Sequence, residues 1–269
     1  MTRAPKAAVA MRKHQWAFRA RFRANGFGWK SALPIKRIKE ALSEIKKVRR
    51  KEPNLAADGA VLFLERLPSA LTHVDSSSGA IGGAVNRAIE SLVPIIAQAP
   101  ADEDLREQWL ERLWQAVEDD DMPYIEALPR DWGALCATRE RALQWAKRFE
   151  STLRAMWQHG DYGHFNGTYA CLDCLLHAEH YQELIDLIGK APRIGWDCRC
   201  YGVRALAALG KHAEAIRYAE ESQQDRYASL ASITAACEEV LLSCGMVDEA
   251  YSSYAILANT KNTYGIVNK

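Results

Sequence analysis

One short pattern occurs three times between residues 168 and 259, and it constrains what the C-terminal part of this chain can become. The copies are Ala178-Glu179-His180-Tyr181-Gln182-Glu183, Leu209-Gly210-Lys211-His212-Ala213-Glu214 and Cys244-Gly245-Met246-Val247-Asp248-Glu249. Each reads as a turn joining two helices. The shared glutamates stand 31 and 35 residues apart, the period at which helix pairs stack into a solenoid. Superposed on them, Leu175, Leu206 and Leu241 share one position, and Ile185, Ile216 and Tyr251 another. Such agreement predicts a repeated core. The glutamates fall in the first turn of each second helix, where the dipole favours negative charge by about 0.3–1 kcal/mol, so they need no functional role.

The rest of the chain also reads as helix. Residues 5–24 carry Val9, Trp16, Phe18 and Phe22 among arginines and predict a helix stopped by Asn25-Gly26. After Pro34, the spacing of Ile35, Ile38, Leu42, Ile45 and Val48 predicts a helix with a narrow apolar seam and a basic back. Residues 57–67 form a further helix that Pro68 kinks or restarts, and Asp75-Ser76-Ser77-Ser78-Gly79 is a cluster of helix N-caps. Helical spacing recurs in Ile81 to Ile96, in Leu105, Trp109, Leu113 and Val117, in a short stretch at residues 124–128, and after the cap Thr138. No run alternates in polarity as a half-buried strand would, so the fold class is all-α.

The formal net charge of +1 conceals a division. Residues 1–51 hold 16 Lys and Arg against Glu40 and Glu44, leaving 19 basic and 32 acidic residues in the remainder. The basic arm either docks on an acidic body or contacts a polyanion. Its candidate contacts are Arg19, Arg21, Arg23, Lys36, Arg37, Lys46, Lys47, Arg49 and Arg50, with Trp16 and Trp29 able to stack on bases. An Arg-rich, acid-poor start also imitates a mitochondrial transit peptide, although Ser and Thr are scarce. No apolar run approaches the roughly 20 residues of a membrane span. Seven scattered cysteines in a chain of 269 residues favour a reducing compartment, and cytoplasm is the default.

The Leu-x-x-x-Gly turns, Leu206 to Gly210 and Leu241 to Gly245, with the pairs Glu214-Ala215 and Glu249-Ala250, resemble tetratricopeptide-like repeats, without the Trp and terminal Pro of the strict consensus. More broadly, His73-Val74-Asp75-Ser76-Ser77-Ser78-Gly79-Ala80, Trp109-Leu110-Glu111-Arg112-Leu113 and Asp248-Glu249-Ala250-Tyr251 resemble segments of an uncharacterised family of bacterial all-helical repeat proteins. The resemblance implies a fold, a bacterial cytosolic setting and further helix pairs past a C-terminus that looks truncated. It implies no reaction or ligand.

Several motifs imitate active sites. Cys171-x-x-Cys174-x-x-His177-x-x-His180, followed by Cys198 and Cys200, has zinc-ligand chemistry, but steps of three residues wind such side chains around a helix. Cys171 superposes on Gly202 and Cys237, a small-residue packing position. Arg66 and His73 match the spacing of an Arg–His ribonuclease motif, which chance supplies among 22 arginines and seven histidines. Glu118-Asp119-Asp120-Asp121 lacks the alternation of a calcium loop, Ser76 to Gly83 lacks the Gly-Lys-Ser/Thr of a phosphate loop, and His164 has no partner nucleophile. The sequence therefore assigns no catalytic residue, metal or cofactor.

The expected architecture is a basic helical arm (1–52), a middle helical region (53–158) and a tetratricopeptide-like repeat region (159–269). The expected function is a non-enzymatic scaffold for a protein or peptide partner, with nucleic-acid binding through the arm as the alternative and hydrolysis a distant third. An uncapped last repeat would expose Tyr251, Tyr254 and Leu257 to a second copy or to the tail.

Overall fold

The computed structural model describes residues 14–160, 165–191, 193–224 and 228–254, which form helices and turns with no strand among them. Two compact units emerge, Met1–Leu128 and Pro129–Lys269. The first holds α1 (Ala32–Arg49), α2 (Pro53–Leu71), α3 (Ala80–Ala97) and α4 (Glu103–Glu118). The second holds α5 (Trp132–Cys136), preceded by a 3-10 turn, and α6 (Arg139–Gln158). Six helices follow: α7 (Gly167–His177), α8 (Tyr181–Ile188), α9 (Trp196–Ala208), α10 (His212–Glu220), α11 (Leu230–Ser243) and α12 (Val247–Ser253).

In the first unit α1, α2 and α3 pack on one another and α4 packs on α2. The α1 seam is buried at Ile38, Ala41 and Ile45, while Ile35, Leu42 and Val48 lie at its half-buried margin. Proline opens α2 at its first position, where the missing N–H costs nothing. The helix does not restart at Pro68: α2 runs through it to Leu71, held by fully buried Leu64, Leu67, Ala70 and Leu71. No serine of the cluster takes the N-cap position of α3, although Ser78 Oγ accepts the Ala80 N–H at 3.4 Å. Gly79 takes the N-cap position at φ +70°, which favours glycine, and Asp75 instead accepts the Ser77 N–H at 3.0 Å within the preceding turn. By length and mean hydropathy (1.3) α3 could cross a membrane; here Ile81, Val85, Ile89, Leu92 and Ile96 are buried.

The expected helix over residues 5–24 is not found in its described part: residues 14–24 form turns, and residues 5–13 lie outside the described residues. The turns bring Trp16, Phe18, Phe22 and Phe27 to one side, which a straight helix could not do at their spacing. Phe63 on α2 receives Phe18 and Phe22 edge-on, with centroids 5.7 and 5.0 Å away. Gly59 allows the Trp16 ring to approach α2 closely, since a Cβ there would stand 2.2 Å from it. Asn25 adopts the left-handed conformation expected of the stop signal, and its N–H donates to Ser69 O at 2.9 Å.

In the second unit the three repeated turns share one geometry. Glu179, Gly210 and Gly245 have φ of 61°, 75° and 81°. In each case the next N–H (His180, Lys211, Met246) donates to the superposed leucine carbonyl (Leu175, Leu206, Leu241) at 2.9–3.0 Å. This is the helix-closing bond of a left-handed C-terminal turn. The first copy achieves it with glutamate, whose carboxylate pairs with Arg139. Each helix from α7 to α12 packs on its neighbours in sequence, and α9 also packs on α7 and α11. Val203, Leu206, Ala215, Ala219, Ile233, Cys237 and Val240 form a common core.

Candidate functional site

The superposition that aligns the turns also aligns the groove. On α9, Asp197, Cys200, Arg204 and Ala208 line a cleft of about 740 Å³; on α11, the residues 35 positions later, Ser232, Ala235, Glu239 and Ser243, line its other wall. Residues 35 positions apart in the sequence thus face the cleft from both helices. Val203, Ala207, Ala236, Val240 and Trp196 supply an apolar lining, and charges stand at Arg130, Asp197, Arg204 and Glu239. Arg204 and Glu239 are exposed and form no ion pair among the described residues. His212 also lines the cleft, its Nδ1 buried without a described hydrogen-bond partner.

The same repeat position on α7, 31 residues earlier, carries Asn166, Tyr169, Asp173 and His177, and there the chain covers its own surface. Gly133 of α5 donates its N–H to Asp173 Oδ2 at 2.8 Å. A Cβ on Gly133 would lie 2.4 Å from His177 Nδ1 and 2.7 Å from the Asp173 carbonyl, so only glycine fits. Arg130 stacks on Tyr169 at 3.9 Å and pairs with Asp197 at 3.4 Å. Tyr201 donates its hydroxyl to the Arg130 carbonyl at 3.4 Å. Burial pushes the Tyr169 hydroxyl up to about 12.

Asp173 is 2% exposed. Burial pushes its carboxyl up to about 7, against the lowering pull of nearby His177, the Gly133 N–H and Arg204 and alongside the raising influence of Asp131. The folded chain thus keeps this proton to near neutrality, whereas an unfolded aspartate loses it near pH 4. Stability should therefore fall as pH rises through that interval, by at most about 1.4 kcal/mol per pH unit, and level off above it. Asp173→Asn keeps an oxygen for Gly133 and should flatten the fall; urea denaturation across pH 4.5 to 8 measures it, and an unchanged slope would assign the dependence elsewhere.

The other singled-out residues are dispersed. Cys171 and Cys174 are fully buried, with the Cys171 thiol pushed up to about 12 by burial, while His177 meets Gly133 and His180 meets Glu183 at 2.8 Å. Among the described residues no three His, Cys, Asp or Glu side chains gather as metal ligands. Arg66 reaches the Arg19 and Phe22 carbonyls at 3.5 and 3.4 Å, tying down the aromatic turns, and His73 is exposed. Tyr251 is 75% exposed, but Tyr254 is half-buried against the repeat core and donates its hydroxyl to Glu220 at 2.7 Å, which removes it from the expected open face. His164 and Leu257 lie outside the described residues.

The basic arm presents a second candidate surface. Lys36, Lys39, Lys46, Lys47 and Arg50 are all exposed and lie opposite the buried seam of α1, a stripe roughly 21 Å long at 1.5 Å per residue. Both acidic residues of α1 are engaged on its flank: Glu40 pairs with Arg21 at 2.8 Å and Arg37 at 2.6 Å, and Glu44 accepts the Ala17 N–H at 2.8 Å. The hydrogen bond from Arg37, with the charges of Arg37, Arg21 and Lys36, holds the Glu40 carboxyl below the usual range against its partial desolvation. Lys46 and Arg49 reach neutral Ser91 and Gln98. Among the described residues, then, no arm cation pairs with a carboxylate outside the arm: α1 docks on α2 and α3 through its apolar seam, with its basic back exposed, rather than by charge pairing. Trp16 is buried and unavailable for stacking, Trp29 is 71% exposed, and Arg19 and Arg23 are exposed.

Comparison with known protein families, curated proteins and solved structures finds no match.

Proposed function

We propose that this protein is a non-enzymatic interaction module of the cytoplasm whose helix pairs α7 to α12 form a short tetratricopeptide-like stack holding a peptide segment between α9 and α11. The observation that carries the reading is the coincidence of one repeat position, 197/200/204/208 and 232/235/239/243, on both walls of the cleft. A stack of helix pairs offers one continuous surface to an extended partner, and an apolar lining with a few convergent charges is the composition of a binding site. Peptides selected against the full-length protein from a displayed random library should bind at least about tenfold more weakly to Arg204→Glu and to Glu239→Arg, since opposed charges across an interface penalise the wrong partner. Both side chains are exposed, so the variants should keep the wild-type helical spectrum. Undiminished binding to both would place the peptides elsewhere and sink this reading.

A second reading, nucleic-acid binding through α1, is favoured by the exposed basic stripe on the face opposite the buried seam. With Trp16, Phe18, Phe22 and Phe27 buried and Trp29 alone exposed, the arm would grip phosphates more than bases, so binding would be largely indifferent to sequence. Engaging five phosphates, duplex DNA should lose roughly 500-fold in affinity between 50 and 200 mM salt. Fluorescence anisotropy with wild type and with Lys39→Glu/Lys47→Glu checks this; salt-insensitive binding, or equal binding by the variant, removes α1 as the site.

A further inference from the structure

The cleft between α9 and α11 lies beside a position that the chain has already filled for itself, and the filled position shows what the open one asks of a ligand. Over α7, the segment from Leu128 to Cys136 contributes a backbone N–H to Asp173 and a glycine against His177. One repeat later these two positions are Arg204 and Ala208. The acceptor has become a cation, and the ring that excludes any side chain has become a methyl group. A segment seated on α9 as α5 is seated on α7 would therefore need an anion where Gly133 stands, and would have room for the side chain that carries it.

Resting on the peptide-groove reading above, we propose that the cleft receives a short turn of peptide, built like residues 128–135, with an acidic side chain at the Gly133 position bound by Arg204. Charge complementarity selects that side chain, because Arg204 has no ion-pair partner among the described residues and its guanidinium can bind a carboxylate through two parallel N–H donors. The apolar side chains of the turn cover Val203 and Ala236 on the lining.

Two synthetic octapeptides probe this on the full-length protein: Leu-Pro-Arg-Asp-Trp-Gly-Ala-Leu, which repeats residues 128–135, and the same peptide with Gly133→Glu. Titration followed by heteronuclear NMR should show the glutamate peptide binding at least about tenfold more tightly, the span of a charge-assisted pair. Arg204→Gln should erase that preference and Arg204→Lys should keep part of it. Equal binding of the two peptides, no binding of either, or a preference that survives Arg204→Gln would each overturn the proposal. The library selection decides the broader reading separately: selected peptides sensitive to Arg204→Glu and Glu239→Arg but lacking an acidic residue would leave the groove standing and remove the rule for its occupant.

Discussion

Replacing Phe63 by alanine is expected to destabilise the first unit by about 3–5 kcal/mol, the range for deleting a buried aromatic ring. Phe63 is fully buried and is the α2 side chain on which Phe18 and Phe22 rest at 5.7 and 5.0 Å. Aromatic pairs of this geometry add about 0.5–1.5 kcal/mol beyond the area they bury, so the substitution loosens the linked rings of Trp16, Phe18, Phe22 and Phe27. The consequence reaches the charged surface. Residues 14–28 carry Arg21, half of what engages Glu40, and their detachment would return Glu40 and Glu44 to solvent beside the α1 stripe. Hydrogen exchange should show residues 14–28 losing protection before α2 and α3 do. Retained protection there, with a loss under about 1 kcal/mol in urea, would show that the turns are held by something other than the rings.

Arg106→Met should cost about 2–4 kcal/mol, because it removes a buried cation that serves several carbonyls at once. Arg106 is 2% exposed and donates to Ile96 O at 2.5 Å and Ala99 O at 2.7 Å, with Ala97 O at 3.3 Å. Ile96 and Ala97 are the last residues of α3 and Ala99 follows it, the place where a helix leaves its last acceptors without partners and its dipole favours positive charge. The guanidinium also lies 5.3 Å from the Trp109 ring. Methionine fills similar space but donates nothing. Arg106→Lys, with a single point of donation, should fall between the two. Urea midpoints for the three proteins give the order, and a methionine variant as stable as wild type would show that water can serve those carbonyls instead.

Much of the helical layout was legible because it rests on local rules. Repeated Leu-x-x-x-Gly spacing located the turns before α10 and α12, and the same superposition found the turn at Glu179, where no glycine marks the left-handed residue. Asp102 and Thr138 cap α4 and α6 with hydrogen bonds from the Leu105 and Arg141 N–H groups, as short oxygen-bearing side chains before an amphipathic run do. Where local signals competed they misled. Pro68 has the chemistry of a helix breaker, yet packing on both sides of it carries α2 onward; the serine run has the chemistry of a cap, yet a left-handed glycine stands there.

The candidate sites divide the same way. From the spacing alone one can align Asp173, Arg204 and Glu239 and set Lys36, Lys39, Lys47 and Arg50 opposite Ile38, because helical periodicity is a property of the chain. Whether a surface so aligned is open or covered is decided by residues far away in sequence. Gly133 closes α7 across 40 residues, and Arg106, which periodicity assigns to a polar position, is sealed in by the end of α3. The sequence by itself determined which side chains share a face. Only the tertiary structure decided that the α7 face is occupied, that the α9–α11 cleft is open, and that Glu40 and Glu44 are engaged by Arg21 and the Ala17 N–H from outside α1, because burial is the sum of contacts that no local pattern contains.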